Sequence, residues 1–476
     1  MGKFKISEFF LYRWHYLIGY LLVAVGLIAS LIFVGKYLPG GLSSAEIQSV
    51  IKSASITIAD IWSVNVINLP YYLLQHACLV IFGVSIFSIK LPSIVLAFLS
   101  VIGLVLLLSR WFRPRVAILA SLIALTTGQF LFVAQNGTPD ILYLFWPIWI
   151  ILLASIIPTF HKKYRKFLGI AFFLLVSLSL YTPLSFYMIF AIIGSVALHP
   201  HLRYLLKKIS LYKILAGSIV LILIISPLIL AIIKTPNIGL TLLGIPTKWP
   251  NLSTNLASLA NEYFDFTNTN IGSVITPIFG LGLVMLIALG AYFVIRTKST
   301  AKSYLLLLWI FCLIPVVILN PNNTTITFLP LVILMASGLS GLLSNWYQLF
   351  PKNPYARVGG LIPIIILVFI MVSSGINRYA YGYTYDPNVV PSFSKDLQLI
   401  PKDTKNIVVD DSELAFYSVI SKYNKSMTIS TIPEGNIFIA THKSNQSFRG
   451  YMVDRIITNS SKNDSDRFYL YKKITQ

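Results

Sequence analysis

The chain is 476 residues long, 56% hydrophobic and only 11% charged, with a mean hydropathy of +0.77, whereas soluble domains carry about 25% charged residues. A soluble globular fold is excluded. Apolar runs recur from Ile18 to Ile376, each near the roughly 20 residues a helix needs to cross a hydrocarbon core, and they are continuous rather than alternating, which excludes a barrel. The formal net charge of +21 comes from basic clusters between those runs, with no basic stretch interleaved with aromatics, so nucleic acid is not the expected partner. The expected fold class is a polytopic α-helical membrane protein.

Lys and Arg are retained on the cytoplasmic side, so the basic clusters give the topology. The first span is predicted at about Tyr16–Tyr37, a signal anchor entered from a cytoplasmic side marked by Lys3, Lys5 and Arg13. It is too long for a cleaved signal peptide and shows no small-residue cleavage site. "RWFRPR" (Arg110–Arg115) is the next cytoplasmic cluster, so the span at about Leu91–Ser109 runs inward and residues 39–90 form one large external loop. Within it "NLPYYLLQHACLVIFG" reads as a juxtamembrane helix whose Tyr71 and Tyr72 suit the interface.

The next span, Val116–Ala134, runs outward to "QNGTPD", and Ile141–Pro158 returns inward to "HKKYRK". Residues 167–198 make a run of 32, too long for one ordinary span and broken by "YTP" at Tyr181–Pro183. Two short spans with an external turn keep the following "HPHLRYLLKK" inside. Spans at about Lys213–Ile233, Val274–Val294, Tyr304–Leu319, Ile326–Leu343 and Gly359–Ile376 bring the number to eleven, with the N-terminus cytoplasmic and the C-terminus extracytoplasmic. The composition turns polar after Arg378, dividing the chain into a transmembrane part, 1–390, and a small extracytoplasmic α/β domain, 391–476. There "NIVVDDSELAFYSVISKY" reads as strand, capped turn and helix, and "MTISTI", "NIFIATH" and "FYLYKKI" as strands. A core this small is expected to dock on the membrane part. Cys78 and Cys312 lie in apolar surroundings far apart, which suggests packing and no disulfide framework or metal pair.

Before residue 391 the acidic residues are Glu8, Glu46, Asp60, Asp140, Glu262, Asp265 and Asp386, and all except Glu8 fall outside in this topology. Charge near a membrane is costly, which makes such residues functional candidates. Glu46 and Asp140 stand out because each follows the exit of a span. Two readings stand for each. Glu46 follows Ser43 and Ser44 and fits the first turn of an N-capped helix, where a carboxylate meets the helix dipole favourably; Asp140 follows Pro139 and opens a span in the same way. Asp60, Glu262 and Asp265 read as solvated loop charges, and Asp410, Asp411 and Glu413 as caps of the C-terminal helix.

The order of these features resembles the GT-C glycosyltransferases that use polyprenyl-phosphate sugars, in particular the protein O-mannosyltransferase and aminoarabinose-transferase group. "GLSSAEIQSV" matches the acidic motif after the first span, "NLPYYLLQ", "IFGVS" and "IKLPS" the segments leading into the second, "AQNGTPD" the external loop with an aspartate, and "SLYTPLSFY" the paired short helices. The resemblance covers about residues 16–200, with "TFLPLVILMASGL" further on. The chain departs from the pattern at Ala45-Glu46, where many relatives have Asp-Glu, and at Tyr181-Thr182-Pro183, where they have a basic residue nearby.

The resemblance implies a plasma-membrane enzyme that transfers a sugar, with inversion, from a polyprenyl-phosphate donor to a glycan, lipid or protein acceptor at the outer face. Glu46 is then the candidate base, or the residue that orients the acceptor, and Asp140 shares that task or helps Glu46 hold a divalent cation. With Ala45 beside it Glu46 is a lone acid, which favours base catalysis over metal binding. Lys90, Lys248 and Arg378 are the candidates for contacting the lipid phosphate or anchoring at the interface. Asp60, Tyr71, Tyr72 and Gln75 are the candidate substrate contacts of the first loop. The alternatives are a transporter or flippase for a lipid-linked sugar, which would be expected to show repeat symmetry and mid-membrane charge, and a non-catalytic scaffold presenting the C-terminal domain.

Overall fold

The computed structural model describes residues 21, 24–26, 42–56, 66–158, 162–207, 211–266, 277–297, 299–349, 359, 361–385, 399–401, 404–423, 427–458 and 467–474. The expected first span, apart from residues 21 and 24–26, and the candidate Asp60 lie outside the described residues.

The first loop contains two helices, α1 (Ser44–Ser55) and α2 (Leu69–Phe82). The next helix, α3 (Ile86–Trp111), starts five residues before the expected span, because Ser85 and Ser88 cap each other's backbone N–H groups and open the helix there. Lys90 therefore sits in the second turn of α3, with Pro92 after it, and not at the end of a loop. A bent pair follows, α4 (Pro114–Leu125) and α5 (Gly128–Gln135), at 62°. A 3₁₀ turn, Pro139–Ile141, leads into α6 (Leu142–Ile156).

Next come α7 (Lys162–Ser179), α8 (Ser185–Leu198) and α9 (Pro200–Lys207). The expected break at "YTP" is present: Leu184 takes φ +63° and α8 restarts after it. The turn is held from two sides, since Asn68 N donates to the Tyr181 carbonyl at 2.8 Å and Trp146 Nε1 to Thr182 Oγ1 at 2.9 Å. The remaining helices are α10 (Leu211–Lys234), α11 (Asn237–Leu243), α12 (Leu252–Phe264), α13 (Leu281–Arg296), α14 (Ala301–Leu319), α15 (Phe328–Leu349) and α16 (Leu361–Tyr385).

Among the described residues six helices are long and apolar enough to cross a membrane, or up to eight if each of two bent pairs is one span. That is fewer than eleven for physical reasons: α7 opens in a basic stretch, α13 has only 16 residues, and the first span falls outside the described residues. The bundle closes tightly where α13 crosses α15. Gly290 and Gly338 face each other's helices, and a methyl group on either would overlap a backbone carbonyl of the other, Leu334 or Leu286. Small residues let membrane helices approach this closely.

The C-terminal part carries a five-stranded sheet in the order β2-β1-β3-β5-β4, built from β1 (Asn406–Val408), β2 (Thr428–Ser430), β3 (Ile437–Ala440), β4 (Tyr451–Thr458) and β5 (Arg467–Lys473). Strands β2, β1 and β3 run parallel, and β5 and β4 add antiparallel. A helix, α17 (Asp411–Tyr423), crosses over between β1 and β2, and Asp410 Oδ2 caps it by accepting from Ser412 N at 3.1 Å. Strand β4 was not among the predicted strands. Its alternation is broken at Asp454-Arg455, where a bulge shifts the register.

This layer packs on the first loop. Phe416, Tyr417 and Ile420 of α17 share one core with Ile47, Val50 and Ala54 of α1 and Leu79 of α2. Lys422 Nζ donates to the Ala54 carbonyl at 2.7 Å, so a cation from the C-terminal part covers the carbonyl end of α1.

Candidate active site

The sequence Ser43-Ser44-Ala45-Glu46 folds as a capping box. Ser43 N donates to Glu46 Oε2 at 2.8 Å and Glu46 N to Ser43 Oγ at 3.3 Å. The other carboxylate oxygen reaches out of the helix: Oε1 accepts from Gly137 N at 2.7 Å and lies 3.5 Å from Lys90 Nζ. Glu46 is 2% exposed, and Lys90 is buried with it. Glu46 is thus a helix cap whose second oxygen also grips the Asp140 loop.

The segment 136–140 is held group by group. Gly137 gives its N–H to Glu46, and its carbonyl accepts from Gln75 Nε2 at 3.1 Å. A Cβ at position 137 would lie 2.9 Å from Ile89 Cγ2 and 3.0 Å from the Ile89 carbonyl, so the close approach requires glycine. The Thr138 carbonyl accepts from Ser93 Oγ at 3.3 Å, and Ser93 in turn bonds the Tyr71 hydroxyl at 2.8 Å. Thr138 Oγ1 donates to Asp140 Oδ2 at 2.9 Å, the one hydrogen bond of the Asp140 side chain among the described residues. Asp140 is half-buried at the head of α6.

Three first-loop candidates are placed differently from expectation. Gln75 is fully buried; its amide donates to the Ile89 and Gly137 carbonyls, and its oxygen accepts from Ser49 Oγ at 2.8 Å and Ser53 Oγ at 2.5 Å. With two donors and two acceptor sites engaged, no polar capacity remains for a substrate. Tyr71 and Tyr72 are buried against α3 and the Asp140 loop, not at an interface, because the α2 face carrying them joins the main core. Burial first, and then the nearby Asp140 charge, pushes the Tyr72 phenol up to about 12. Burial raises the Tyr71 phenol, with the Glu46 and Asp140 charges both adding to the shift. One buried ring therefore senses both carboxylates. Among the described residues the Tyr72 hydroxyl has no hydrogen-bond partner, which leaves it beside Asp140 as a polar group open to a ligand.

The candidate cations separate in the same way. Lys90 is paired with Glu46, and Lys248 is exposed on the connection between α11 and α12. Arg378 is different. It is half-buried on α16, and among the described residues its guanidinium has one hydrogen-bond partner, the Pro277 carbonyl at 2.8 Å. It lines a cavity of about 550 Å³ whose other walls are mostly apolar, including Phe279, Leu283, Ile366, Ile370 and Met371. The lining residues of α16 run from Pro363 to Arg378, about 22 Å of helix at 1.5 Å per residue. The neighbouring Tyr379 hydroxyl donates to Gln135 Oε1 at 2.5 Å, at the end of α5 just before the Asp140 loop.

Among the described residues the donor set does not fit a divalent cation. Glu46 has both oxygens engaged by Ser43, Gly137 and an ammonium, which leaves Asp140 as a single carboxylate. No three His, Cys, Asp or Glu side chains cluster among the described residues. Sequence reasoning overlooked Gly137, Ser93 and Thr138. The turn-forming "NGTPD" string was a visible signal for the first of these, and the two hydroxyls had none. Glu262, expected to be solvated, is half-buried at the end of α12, and burial pushes its carboxyl up to about 7.

The fold is that of the GT-C glycosyltransferases. Residues 69–230 match the family model described as dolichyl-phosphate-mannose-protein mannosyltransferase. Over the whole molecule the chain is similar to ArnT from Cupriavidus metallidurans, solved bound to undecaprenyl phosphate, at 10% identity, with 97% of this chain and 98% of that one covered and a TM-score of 0.54. It is also similar to the Archaeoglobus fulgidus oligosaccharyltransferase in its apo form, at 11% identity, with 89% and 65% covered and a TM-score of 0.55. No curated protein sequence matches significantly.

Proposed function

We propose that the protein transfers a sugar from a polyprenyl-phosphate donor to a hydroxyl-bearing acceptor at the outer membrane face, with Asp140 as the base. The observation that carries this reading is Arg378, a guanidinium with one protein partner among the described residues in the wall of an elongated apolar cavity. Such a site suits an anion attached to a long hydrocarbon, because charge-assisted bonds from Arg recognise phosphate oxygens and the apolar wall accepts the tail. The wall is also open to lipid, with Ile366 and Ile370 both more than half exposed. The undecaprenyl phosphate bound by the ArnT relative supports the same ligand class.

In the reaction, Asp140 accepts the acceptor's proton as the acceptor oxygen forms its bond to the anomeric carbon. The bond from that carbon to the phosphate oxygen breaks with inversion, and the departing phosphate keeps the electron pair and meets Arg378. The Tyr72 hydroxyl beside Asp140 is a donor for the sugar or the acceptor. The proposed topology has eleven spans, with residues 391–476 and the Asp140 loop on the outer side of the plasma membrane. Cysteine labelling from outside should then reach position 140 and the C-terminal part.

The test is reconstitution of the full chain in liposomes with polyprenyl-phosphate sugars, alongside mass spectrometry of cell-envelope glycans and glycoproteins with and without the protein. Transfer that is lost in Asp140→Asn supports the reading. Movement of the intact donor across the bilayer without transfer would replace it with the transporter.

A further inference from the structure

The geometry points to Glu46 as a positioning residue and not the base: with Lys90 as its counter-ion, it clamps the loop that carries Asp140. This rests on the reading of Asp140 as the base.

A general base must turn a free lone pair toward the acceptor's proton. A carboxylate has about four lone-pair positions, and in Glu46 three of them face the N–H of Ser43, the N–H of Gly137 and the ammonium of Lys90, with 2% of the residue exposed. Asp140 has the opposite character, with a single hydrogen bond among the described residues and partial exposure. The Glu46–Gly137 bond joins groups 91 residues apart. It is matched by Gln75, which takes the carbonyl of the same glycine, so both polar groups of residue 137 are gripped three residues before Asp140. Lys90 completes the device, because a buried carboxylate without a counter-charge would be costly. Lys90 supplies that counter-charge at 3.5 Å.

Two measurements on the full chain test this. In hydrogen exchange, the peptide covering residues 136–140 should exchange roughly 10-fold faster or more in Glu46→Gln than in the wild type, as a local opening would produce, and should be unchanged in Asp140→Asn. In turnover, Glu46→Gln should lower kcat by about 10²-fold, the scale of a slightly misplaced group, with the donor KM nearly constant and the acidic limb of the kcat–pH profile kept. Gly137→Ala should reproduce the kcat effect of Glu46→Gln while leaving both charges in place.

Unchanged loop exchange in Glu46→Gln overturns the clamp whatever Asp140 does. So does loss of the acidic limb in Glu46→Gln, which would make Glu46 the base. Wild-type turnover in Asp140→Asn removes the base assignment alone and does not alter the exchange result.

Discussion

Lys90, in the second turn of α3, and Arg378, on α16, are both helix cations, yet their surroundings are opposite. Lys90 lies in a dense polar knot where α1, α2, α3 and the 136–140 loop exchange hydrogen bonds, and its charge is neutralised by Glu46. Arg378 lies in an apolar cavity, bonded to one backbone carbonyl among the described residues. A buried cation that already has its anion builds structure, whereas one held in apolar surroundings without an anion is prepared to receive one. In the proposed reading the polar knot fixes geometry and the cavity takes the ligand.

The largest effect should come from the carboxylate proposed as the base. Asp140→Asn keeps an acceptor for Thr138 Oγ1 but removes the base, so kcat should fall by about 10²–10⁴-fold with an unchanged melting temperature; steady-state kinetics and calorimetry check both. Next, Arg378→Met should raise the donor KM by about 10–10²-fold, the value of hydrogen bonds to a charged group, and leave the acceptor KM alone. A larger donor KM change in Lys90→Met than in Arg378→Met would break the contrast between the two cations.

A smaller effect concerns the cavity wall. If the tail lies along α16, shortening the prenyl chain should weaken wild-type binding by about fourfold per buried CH₂, and Ile370→Trp, which narrows the cavity, should flatten that dependence. The smallest effect is on stability. Burial raises the Glu262 carboxyl from 4.5 to about 7, so the folded protein holds a proton that the unfolded chain releases between those values. Stability from this group is complete below about pH 4.5 and is lost as pH rises through 7. Glu262→Gln should therefore melt higher than the wild type above pH 7, with the gap closing on acidification.

Much of the helical framework was legible because apolar length and basic clusters are local signals. The "YTP" break and the Ser43–Glu46 cap were readable for the same reason, as turn and capping chemistry acts over three or four residues. The site was legible only in part. That Glu46 and Asp140 should lie together was expected from family order, but which oxygen is free depends on Gly137, Lys90 and Ser93, contacts made across 44 to 91 residues. No periodicity encodes such pairs. Tyr71 and Tyr72 misled for a related reason, since an aromatic pair in an amphiphilic helix looks the same whether it meets lipid headgroups or a neighbouring loop. Strand β4 was missed because its bulge spoils the alternation by which strands are recognised.

The packing of α17 on α1 has a consequence for how the molecule is made. Synthesis delivers the Glu46 helix early and its cover late, with Lys422 and Ala54 separated by 368 positions. Until α17 emerges, the apolar face of α1 has no partner from that side, and the helix that steadies the Asp140 loop lacks half of its support. A chain that stopped before residue 399 would lack this cover on α1. The state of the first loop is thus tied to the folding of α17.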